Sequence, residues 1–143
     1  MIAPGINIYS GTRGLGGALT NPTCLSRKKG SINRDYPISF RRSAAVYPDA
    51  EAVYRSYSSS CKSFQDNLVL CTEIIYWKLK AYPALVSSIK ENGGTRWLKK
   101  CKHVTYARSS SFSRWEGEGD DSPFIRCLIW AYQKIIKENR NLK

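Results

Sequence analysis

The spacing of apolar residues predicts helices over most of the second half of the chain. Between residues 63 and 82, and again after residue 123, apolar side chains recur every three or four positions, which places each set on one face of a helix. We expect both faces to be buried in a core. The predicted buried faces are Phe64, Leu68, Cys71, Ile75 and Leu79 in the first helix, and Phe124, Leu128, Ala131, Tyr132, Ile135 and Ile136 in the last.

Proline and capping residues indicate where three helices begin. The pair Pro48-Asp49 is typical of a helix start, and Ser122 is a natural N-terminal cap directly before Pro123. Proline suits the first position of a helix, because its missing N–H has no partner there. We therefore expect the last helix to start at Pro123 and another helix to start at Pro83.

Short segments in the first part of the chain predict a small β element. Residues 6–10 ("INIYS") and 36–40 ("YPISF") have the alternation of short strands. Four glycines and an Asn-Pro pair predict a loop over much of residues 11–23, and the basic segment 26–35 predicts a second, mobile loop. The sequence thus predicts an α+β fold: one mainly helical domain over residues 1–143 with a small β element.

The charge of the chain favours an anionic partner. Its 143 residues include 23 lysines and arginines against 11 acids, a net charge of +12. Such an excess favours nucleic acid, a phosphorylated small molecule or an anionic surface. One group of cations is a candidate for holding nucleic acid, and a solvated loop is the open alternative for it. This group is Arg27, Lys28, Lys29, Arg41 and Arg42.

Several classes of site and protein are not expected. The five cysteines are scattered without CxxC spacing, so we expect neither a disulfide framework nor a zinc site, and we expect no metal and no cofactor. No apolar run is long enough to cross a membrane, so no membrane partner is expected. The N-terminus lacks the pattern of a signal peptide, which favours an intracellular, cytoplasmic protein of bacterial or phage origin.

One short segment gathers about a third of the acids of this basic chain. Four of the 11 acidic residues fall within residues 116–121, which we call the acidic turn; Trp115 precedes them and Gly117 and Gly119 are interleaved with them. The last two acids suit the positive end of the following helix dipole. The glycines allow close approach of a ligand, and the tryptophan can stack on a base or fold back into the core.

A glycine-rich segment nearer the N-terminus is a candidate phosphate-binding loop. Residues 11–17 ("GTRGLGG") lack the Lys-Ser/Thr ending of a P-loop and do not match a dinucleotide fingerprint. Backbone N–H groups around Gly16 and Gly17 can still cradle a phosphate. The Arg13 guanidinium, within the same segment, can pair with two oxygens of one phosphate.

Glu51 is the first candidate for a catalytic acid. It lies near a predicted helix start among apolar and small residues, with Tyr54 and Arg55 three and four positions later. A carboxylate in such surroundings is either paired with an arginine or adjusted for proton transfer. The sequence leaves both alternatives open.

The order of these segments resembles that of the NADAR (YbiA-like) family. "INIYSGTRGLGGALTNPT" is similar to the family's first strand with its glycine and Ser-Asn, and "YPDAEAVY" is similar to its W-P-T-S-E-H-Y helix start. "KLKAYPALV" is similar to its L-x-x-K-F-x-x-x-P-x-L junction, and "WEGEG" to its W-G-x-G turn before a terminal helix. The resemblance covers most of the chain through the order of its segments.

The resemblance implies that residues 1–143 form a single NADAR-like domain and that the protein cleaves an N-glycosidic bond. Members of the family act on N-glycosidic bonds next to a ribose phosphate, and some remove ADP-ribose from guanine bases of nucleic acid. By this resemblance Glu51 is the catalytic carboxylate, and we take Glu116 as the second choice. The predicted ligand-binding residues combine those that the resemblance implies with candidates for phosphate binding and for stacking. They are Arg13, Gly16, Gly17, Thr20, Asn21, Tyr54, Lys62, Arg114, Trp115, Gly117 and Gly119.

The chain also departs from the family, which leaves three interpretations. Ser58 stands where the family has a lysine seven residues after the glutamate. The first interpretation is an N-glycoside hydrolase acting on ADP-ribosylated guanine or a related nucleotide. The second is a non-catalytic protein on the same frame that binds ADP-ribose, a nucleotide or nucleic acid. The third is an unrelated small basic protein that contacts other proteins.

Overall fold

The computed structural model describes residues 2–106 and 113–141, and most of these residues are helical. Two short strands, β1 (Lys102–His103) and β2 (Gly117–Glu118), pair antiparallel, with Lys102 opposite Glu118 and His103 opposite Gly117. Single turns of 3-10 helix are Phe40–Arg42, Ser58–Ser60 and Gly119–Asp121. The helices of the described residues are α1 (Leu15–Leu19), α2 (Thr23–Lys28), α3 (Ala50–Tyr57), α4 (Phe64–Ala81), α5 (Pro83–Asn92), α6 (Thr95–Leu98) and α7 (Pro123–Asn141).

The prediction of a mainly helical chain with a small sheet is confirmed, but the sheet is not where it was predicted. Residues 6–10 form a single parallel bridge, from Asn7 to Lys102, and residues 36–40 form a single antiparallel bridge at Ile38. A strand forms where a neighbour runs alongside it for several residues. Each segment makes only one bridge pair with its neighbour, so the two predicted strands are wrong.

The two predicted loops are partly wrong, because helices α1 and α2 occupy parts of them. Gly16 lies in α1, where a Cβ atom would come within 2.5 Å of the Thr12 side chain and 2.7 Å of the Asn7 carbonyl oxygen. A Cβ on Gly17 would lie 2.5 Å from the Thr12 carbonyl oxygen. These glycines therefore serve close packing of a short helix rather than a flexible loop.

Helix α4 is buried on two sides and joins the two hydrophobic clusters of the protein. The face predicted from the sequence lies in the main cluster, together with the predicted face of α7 and residues of α5 and α6. Leu70 and Ile74, on another side of α4, pack against Ala50 and Val53 of α3 in a smaller cluster. Both predicted faces are thereby confirmed, and α3 is attached to the core through α4.

A buried serine fixes the start of α7. The Ser122 hydroxyl accepts a hydrogen bond from the Ile125 backbone N–H at 3.2 Å, which confirms the predicted cap. The same hydroxyl donates to the Trp115 carbonyl oxygen at 2.7 Å. The position of Trp115 is therefore tied to the end of the helix.

A buried aspartate attaches the start of α3 to the α1–α2 region. The Asp49 carboxylate accepts from the Ala52 N–H at 2.8 Å, as a helix cap does, and from the Cys24 N–H at 3.1 Å. The Glu51 backbone N–H donates to the Asn21 carbonyl oxygen at 3.2 Å. Glu51 and Asn21 are thus brought together by the backbone, as are α3 and the corner between α1 and α2.

Candidate functional site

A cleft of about 590 Å³ opens where the α1–α2 corner, the start of α3, the end of β1 and the segment around Trp115 meet. A cavity of this volume suits a ligand the size of a nucleotide. Its lining residues are Ser10, Thr20, Asn21, Pro22, Leu25, Lys29, Glu51, Tyr54, Arg55, Ser58, Cys71, His103, Thr105, Arg114, Trp115 and Phe124.

The Glu51 carboxylate faces this cleft without a partner. Within residues 2–106 and 113–141, no hydrogen bond or ion pair reaches its oxygens, so the arginine pairing that the sequence left open is not made. Burial raises the pKa of Glu51, the charge of Arg55 one helical turn later opposes this rise, and the charge of Asp49 adds to it. A carboxyl group with a raised pKa exchanges protons closer to neutral pH.

A buried lysine supports the α1–α2 wall of the cleft. Lys78 is 1% exposed, and its Nζ donates to the carbonyl oxygens of Ala18 at 2.5 Å and Thr20 at 2.7 Å. Burial lowers the pKa of Lys78 to about 7, against the opposing charge of Asp49. A neutral amine has two N–H bonds, one for each carbonyl. Lys78 therefore holds Thr20 and the adjoining Asn21 in place.

Asn21 carries a buried acceptor that the protein leaves unpaired. Its side chain is 8% exposed, Nδ2 donates to Cys71 Sγ at 3.7 Å, and Oδ1 has no hydrogen-bond partner among the described residues. A buried acceptor without a partner costs about 1–3 kcal/mol. Such an atom in a cleft is a natural place for a water molecule or a ligand donor.

Aromatic side chains form another wall of the cleft. The ring centroids of Trp115 and Tyr54 lie 5.9 Å apart at an angle of 89°, and the Trp115 ring lies 5.1 Å from that of Phe64. The Tyr54 hydroxyl accepts a hydrogen bond from Asn67 Nδ2 at 2.5 Å. Trp115 is partly buried, so one part of the indole packs on the core and another part lines the cleft.

Three exposed cations surround the cleft without acidic partners. Lys29, Arg55 and Arg114 make no ion pair with any described acid. The Lys29 ammonium donates to the Ser10 hydroxyl at 2.6 Å, and the Arg114 guanidinium lies 4.5 Å above the centre of the Phe64 ring. Their charges exceed that of Glu51, the acid that lines the cleft with them, so the site attracts anions.

The structure brings together six of the residues predicted for the site and leaves seven outside. The residues that line the cleft are Thr20, Asn21, Glu51, Tyr54, Arg114 and Trp115. Those that do not line it are Arg13, Gly16, Gly17, Lys62, Glu116, Gly117 and Gly119.

Glu116, the second choice for catalysis, has a structural role instead. One of its carboxylate oxygens accepts from both the backbone N–H of Thr105 at 2.7 Å and the Thr105 hydroxyl at 2.5 Å. The hydrogen bond from the Thr105 hydroxyl lowers the pKa of Glu116, partial burial opposes this, and the N–H adds to the lowering. This oxygen is therefore occupied within the protein, and the carboxylate lies outside the cleft; its role as a catalytic group stays a prediction.

The glycines of the acidic turn approach the protein's own backbone rather than the cleft. Gly119 has a φ of +55°, and a Cβ atom there would lie 2.5 Å from the Lys99 carbonyl oxygen. Gly117 has a φ of +151°, and a Cβ atom there would lie 3.0 Å from the Ser122 N. Both positions need glycine for the turn itself, and their role as ligand-binding residues stays a prediction.

The acidic turn faces a basic surface segment. Glu118 lies opposite Lys102 in the two-stranded sheet, and both side chains are exposed. The Gly119 N–H donates to the Cys101 carbonyl oxygen at 2.7 Å, which holds the turn next to the exposed Lys99. Opposite charges on neighbouring strands attract. Glu118 therefore lies beside a residue of opposite charge, and none of the four acids lines the cleft.

The cations predicted to bind phosphate or nucleic acid are dispersed. Arg13 and Lys62 are exposed and lie outside the cleft. Of the predicted nucleic-acid cluster, Lys29 lines the cleft, whereas Arg27 pairs with an aspartate of the same loop and Arg41 pairs with a glutamate of α4. Two of the five cations are therefore paired with acids and one lines the cleft, and binding of nucleic acid by the cluster stays a prediction.

Several lining residues were not predicted from the sequence. Ser10, Arg55, Ser58 and Phe124 were noted in the sequence only as parts of motifs or neighbours, and Lys29 only as a member of the predicted nucleic-acid cluster. His103 and Thr105 were not singled out. His103 reaches the cleft because β1 lies next to residues 6–8: the Ile8 N–H donates to the Lys102 carbonyl oxygen at 2.8 Å. No local pattern signals a contact between segments that are so far apart in sequence.

The described residues contain neither a metal-binding group nor a membrane-spanning helix. In the part of the chain that the structure describes, no group of three or more histidine, cysteine, aspartate and glutamate side chains is arranged to hold a metal ion. Over the same residues, no helix has the length and apolar character that crossing a membrane requires.

Comparison of the chain with models of known protein families, with curated proteins and with solved structures finds no match. The resemblance to the NADAR family therefore rests on the order of the motifs in the sequence. It stays a prediction, and its consequences are proposals.

Proposed function

We propose that the protein is an N-glycoside hydrolase that binds a phosphorylated nucleoside containing ADP-ribose in this cleft. The substrate class is ADP-ribosylated guanine of nucleic acid, and the bond hydrolysed joins ribose to the base. The observation that carries this proposal is the Glu51 carboxylate of raised pKa in a nucleotide-sized cleft that three cations also line. Among the residues that the structure describes, Glu51 has no partner and the cations have no acidic partner. The order of motifs that resembles the NADAR family supplies the choice of bond.

In this proposal Glu51 assists cleavage of the N-glycosidic bond in two ways, through its negative charge and as a general base. The bond between ribose C1′ and the base nitrogen breaks, its electron pair leaves with the base, and positive charge develops on the ribose. Glu51 stabilises that charge and accepts a proton from the water molecule that adds to C1′. The base nitrogen that leaves takes up the proton that Glu51 removed from the water, so the products are free ADP-ribose and the unmodified base. A positioned general base contributes roughly 10²–10⁴-fold to the rate.

The rest of the cleft matches the other parts of the ligand. Lys29, Arg55 and Arg114 supply donors for phosphate oxygens, and arginine pairs with a phosphate in a bidentate manner. Trp115 and Tyr54 supply aromatic surface for a base or adenine, since aromatic side chains stack on such rings. Cations for the phosphates, aromatic rings for the base and a carboxylate for the ribose therefore occur in one cavity.

The experiment is calorimetric titration of ADP-ribose into the wild-type chain, into Trp115→Ala and into Trp130→Ala. Trp130 is an exposed tryptophan of α7 that does not line the cleft, so it controls for the loss of an indole. The wild-type chain is then incubated with DNA that carries ADP-ribosylated guanine. We expect binding that Trp115→Ala weakens and Trp130→Ala leaves intact, together with release of ADP-ribose over many turnovers.

A non-catalytic binding protein is the second candidate function, and the position of Ser58 favours it. Ser58 lines the cleft where the resembling family has a lysine, so the cation expected at that point is missing. Under this alternative ADP-ribose binds without release of product. Binding to ADP-ribosylated nucleic acid then weakens steeply with salt, because phosphate contacts release counterions. Absence of ADP-ribose binding would contradict both candidates.

A further inference from the structure

The single histidine of the chain is held in the cleft in one tautomer. His103 is 7% exposed, and its ring lies 4.5 Å from that of Phe124, so the imidazole cannot turn freely. His103 Nδ1 lies 2.6 Å from the Ile8 carbonyl oxygen. A carbonyl oxygen can only accept, so Nδ1 carries the proton and Nε2 of the neutral ring carries a lone pair.

The lone pair on Nε2 is open to a ligand. Among the described residues Nε2 has no hydrogen-bond partner, whereas Nδ1 is held by the Ile8 carbonyl oxygen. His103 is one of the residues that line the cleft, so Nε2 is the ring nitrogen left for a ligand. Burial lowers the pKa of His103, whereas the hydrogen bond with the Ile8 carbonyl and the charge of Glu116 raise it. The pKa is lowered on balance, which favours the neutral ring.

Acceptors are scarce among the charged groups of the cleft. Lys29, Arg55 and Arg114 can only donate hydrogen bonds, and they suit phosphate oxygens. Hydroxyl groups of a sugar need acceptors for their protons. The Glu51 carboxylate and His103 Nε2 are accessible acceptors in the same cavity, and Glu51 has its own part in the proposed reaction.

We propose that His103 is a specificity-determining residue that accepts a hydrogen bond at Nε2 from a ribose hydroxyl, so that the cleft selects ribose over deoxyribose in its ligand. This inference rests on the proposed function, because it concerns the sugar of the same phosphorylated nucleoside. A buried acceptor that loses its donor costs about 1–3 kcal/mol, which is roughly a 5- to 150-fold loss of affinity. His103 thereby distinguishes ligands that differ in one hydroxyl.

The test combines nuclear magnetic resonance with calorimetry. Because the chain has one histidine, labelling with ¹⁵N-histidine gives one pair of imidazole nitrogens, whose protonation and shifts are followed during titration with ADP-ribose. We expect Nδ1 to be protonated, Nε2 to be unprotonated, and the Nε2 resonance to shift on binding as an acceptor does. ADP-ribose and its analogues that lack single ribose hydroxyls are then compared by calorimetry in the wild-type chain, His103→Phe and His103→Gln.

The expected result is that one deoxy analogue binds the wild-type chain at least about fivefold more weakly than ADP-ribose. His103→Phe has no acceptor and loses this preference, whereas His103→Gln retains part of it. An Nε2 resonance that does not move while ADP-ribose binds overturns the inference, and so does a preference that survives in His103→Phe. The spectra use the unaltered chain, so they decide the matter even if His103→Phe does not fold.

Failure of this inference differs from failure of the proposed function. If ADP-ribose binds and is released from ADP-ribosylated DNA, Trp115→Ala weakens binding and Nε2 does not respond, the proposed function stands and His103 has no part in recognising the sugar. If the wild-type chain does not bind ADP-ribose, both are overturned.

Discussion

Glu51 and Glu116 lie in two regions that treat a carboxylate in opposite ways. At the start of α3, Glu51 has no hydrogen-bond or ion-pair partner within the described part of the chain, and burial raises its pKa. In the acidic turn, Glu116 accepts two hydrogen bonds from Thr105, which lower its pKa. The first carboxylate is available to a ligand and the second is part of the architecture. Availability of the charged atoms, rather than their number, distinguishes a candidate site from a structural turn.

The two regions also differ in what supports them. The cleft wall beside Glu51 rests on a buried side chain, Lys78, whose amine holds two carbonyl oxygens. The acidic turn rests on backbone contacts that only glycine permits, at Gly117 and Gly119. A change of pH should therefore act on the first region, and a change of backbone freedom should act on the second.

The largest expected effect is on turnover in Glu51→Gln. Glutamine keeps the size and polarity of the side chain but can neither accept a proton nor carry negative charge. We expect hydrolysis of ADP-ribosylated guanine to fall by roughly 10²–10⁴-fold, with ADP-ribose binding retained. Release of ADP-ribose under single-turnover conditions measures the first, and calorimetry measures the second.

Glu116→Gln is the matched control for that comparison, because its carboxylate does not line the cleft. We expect its turnover to stay near that of the wild-type chain. A large loss of turnover in Glu116→Gln with normal turnover in Glu51→Gln would reverse the assignment of the two carboxylates.

The next effect in size is on the pH dependence of stability through Lys78. Its pKa is about 7 in the folded chain, against 10.5 for an ordinary lysine. Between these values the unfolded chain binds more protons than the folded one, so the free energy of unfolding rises with pH from 7 upward. The slope is at most about 1.4 kcal/mol per pH unit, and below pH 7 the contribution is constant.

Lys78→Met removes the titrating amine while it keeps an unbranched apolar chain. Urea unfolding of both proteins at pH 7, 8 and 9 gives the difference in stability at each pH, in which the titration of all other groups cancels. We expect the wild-type chain to gain stability relative to Lys78→Met as pH rises. A difference that is constant from pH 7 to 9 would mean that Lys78 titrates normally despite its burial.

The helices could be predicted from the sequence because their signals are local. Apolar spacing identified the buried faces of α4 and α7, and single residues such as Asp49, Pro83 and Ser122 identified helix starts. The strands could not be predicted in this way. The segments that pair, at Lys102 and Gly117, are two residues long, and their pairing depends on contacts across the fold rather than on alternation.

The candidate site could be predicted only in part for the same reason. Glu51, Trp115 and Asn21 belong to recognisable motifs, and they do meet in the cleft. Gly119 belongs to a motif as well, but its own backbone contact with Lys99 explains it. A glycine in a sequence indicates a close approach without showing whether a ligand or the chain itself approaches.

Gly119→Ala sharpens the contrast between turn and cleft. Its φ of +55° and the 2.5 Å approach of a Cβ atom to the Lys99 carbonyl oxygen make alanine both strained and crowded. We expect a loss of about 2–3 kcal/mol in the free energy of unfolding, measured by urea. At temperatures where Gly119→Ala is folded, the free energy of ADP-ribose binding should change less than the free energy of unfolding does.

Gly30→Ala is the control for Gly119→Ala. Gly30 has a φ of +80°, but a Cβ atom there meets no atom within 4 Å. We expect a loss of only about 1 kcal/mol, from backbone strain alone. Equal losses in the two variants would show that the contact with Lys99 does not contribute.

The smallest expected effect is on the stability contributed by the Glu116 carboxylate. Its pKa is lowered in the folded chain, so its contribution is present above the ordinary value of 4.5 and is lost as pH falls through the folded pKa. Because the side chain is partly exposed, solvent screening limits this contribution to about 1 kcal/mol. Thr105→Val, Glu116→Gln and the double variant form a cycle whose coupling free energy isolates the pair. We expect coupling at pH 7 that vanishes at pH 3 in urea unfolding. Coupling that persists at pH 3 would show that the contact does not depend on the charge of Glu116. Glu116 and Glu51 would then differ only in where they lie, and not in how the protein treats their charge.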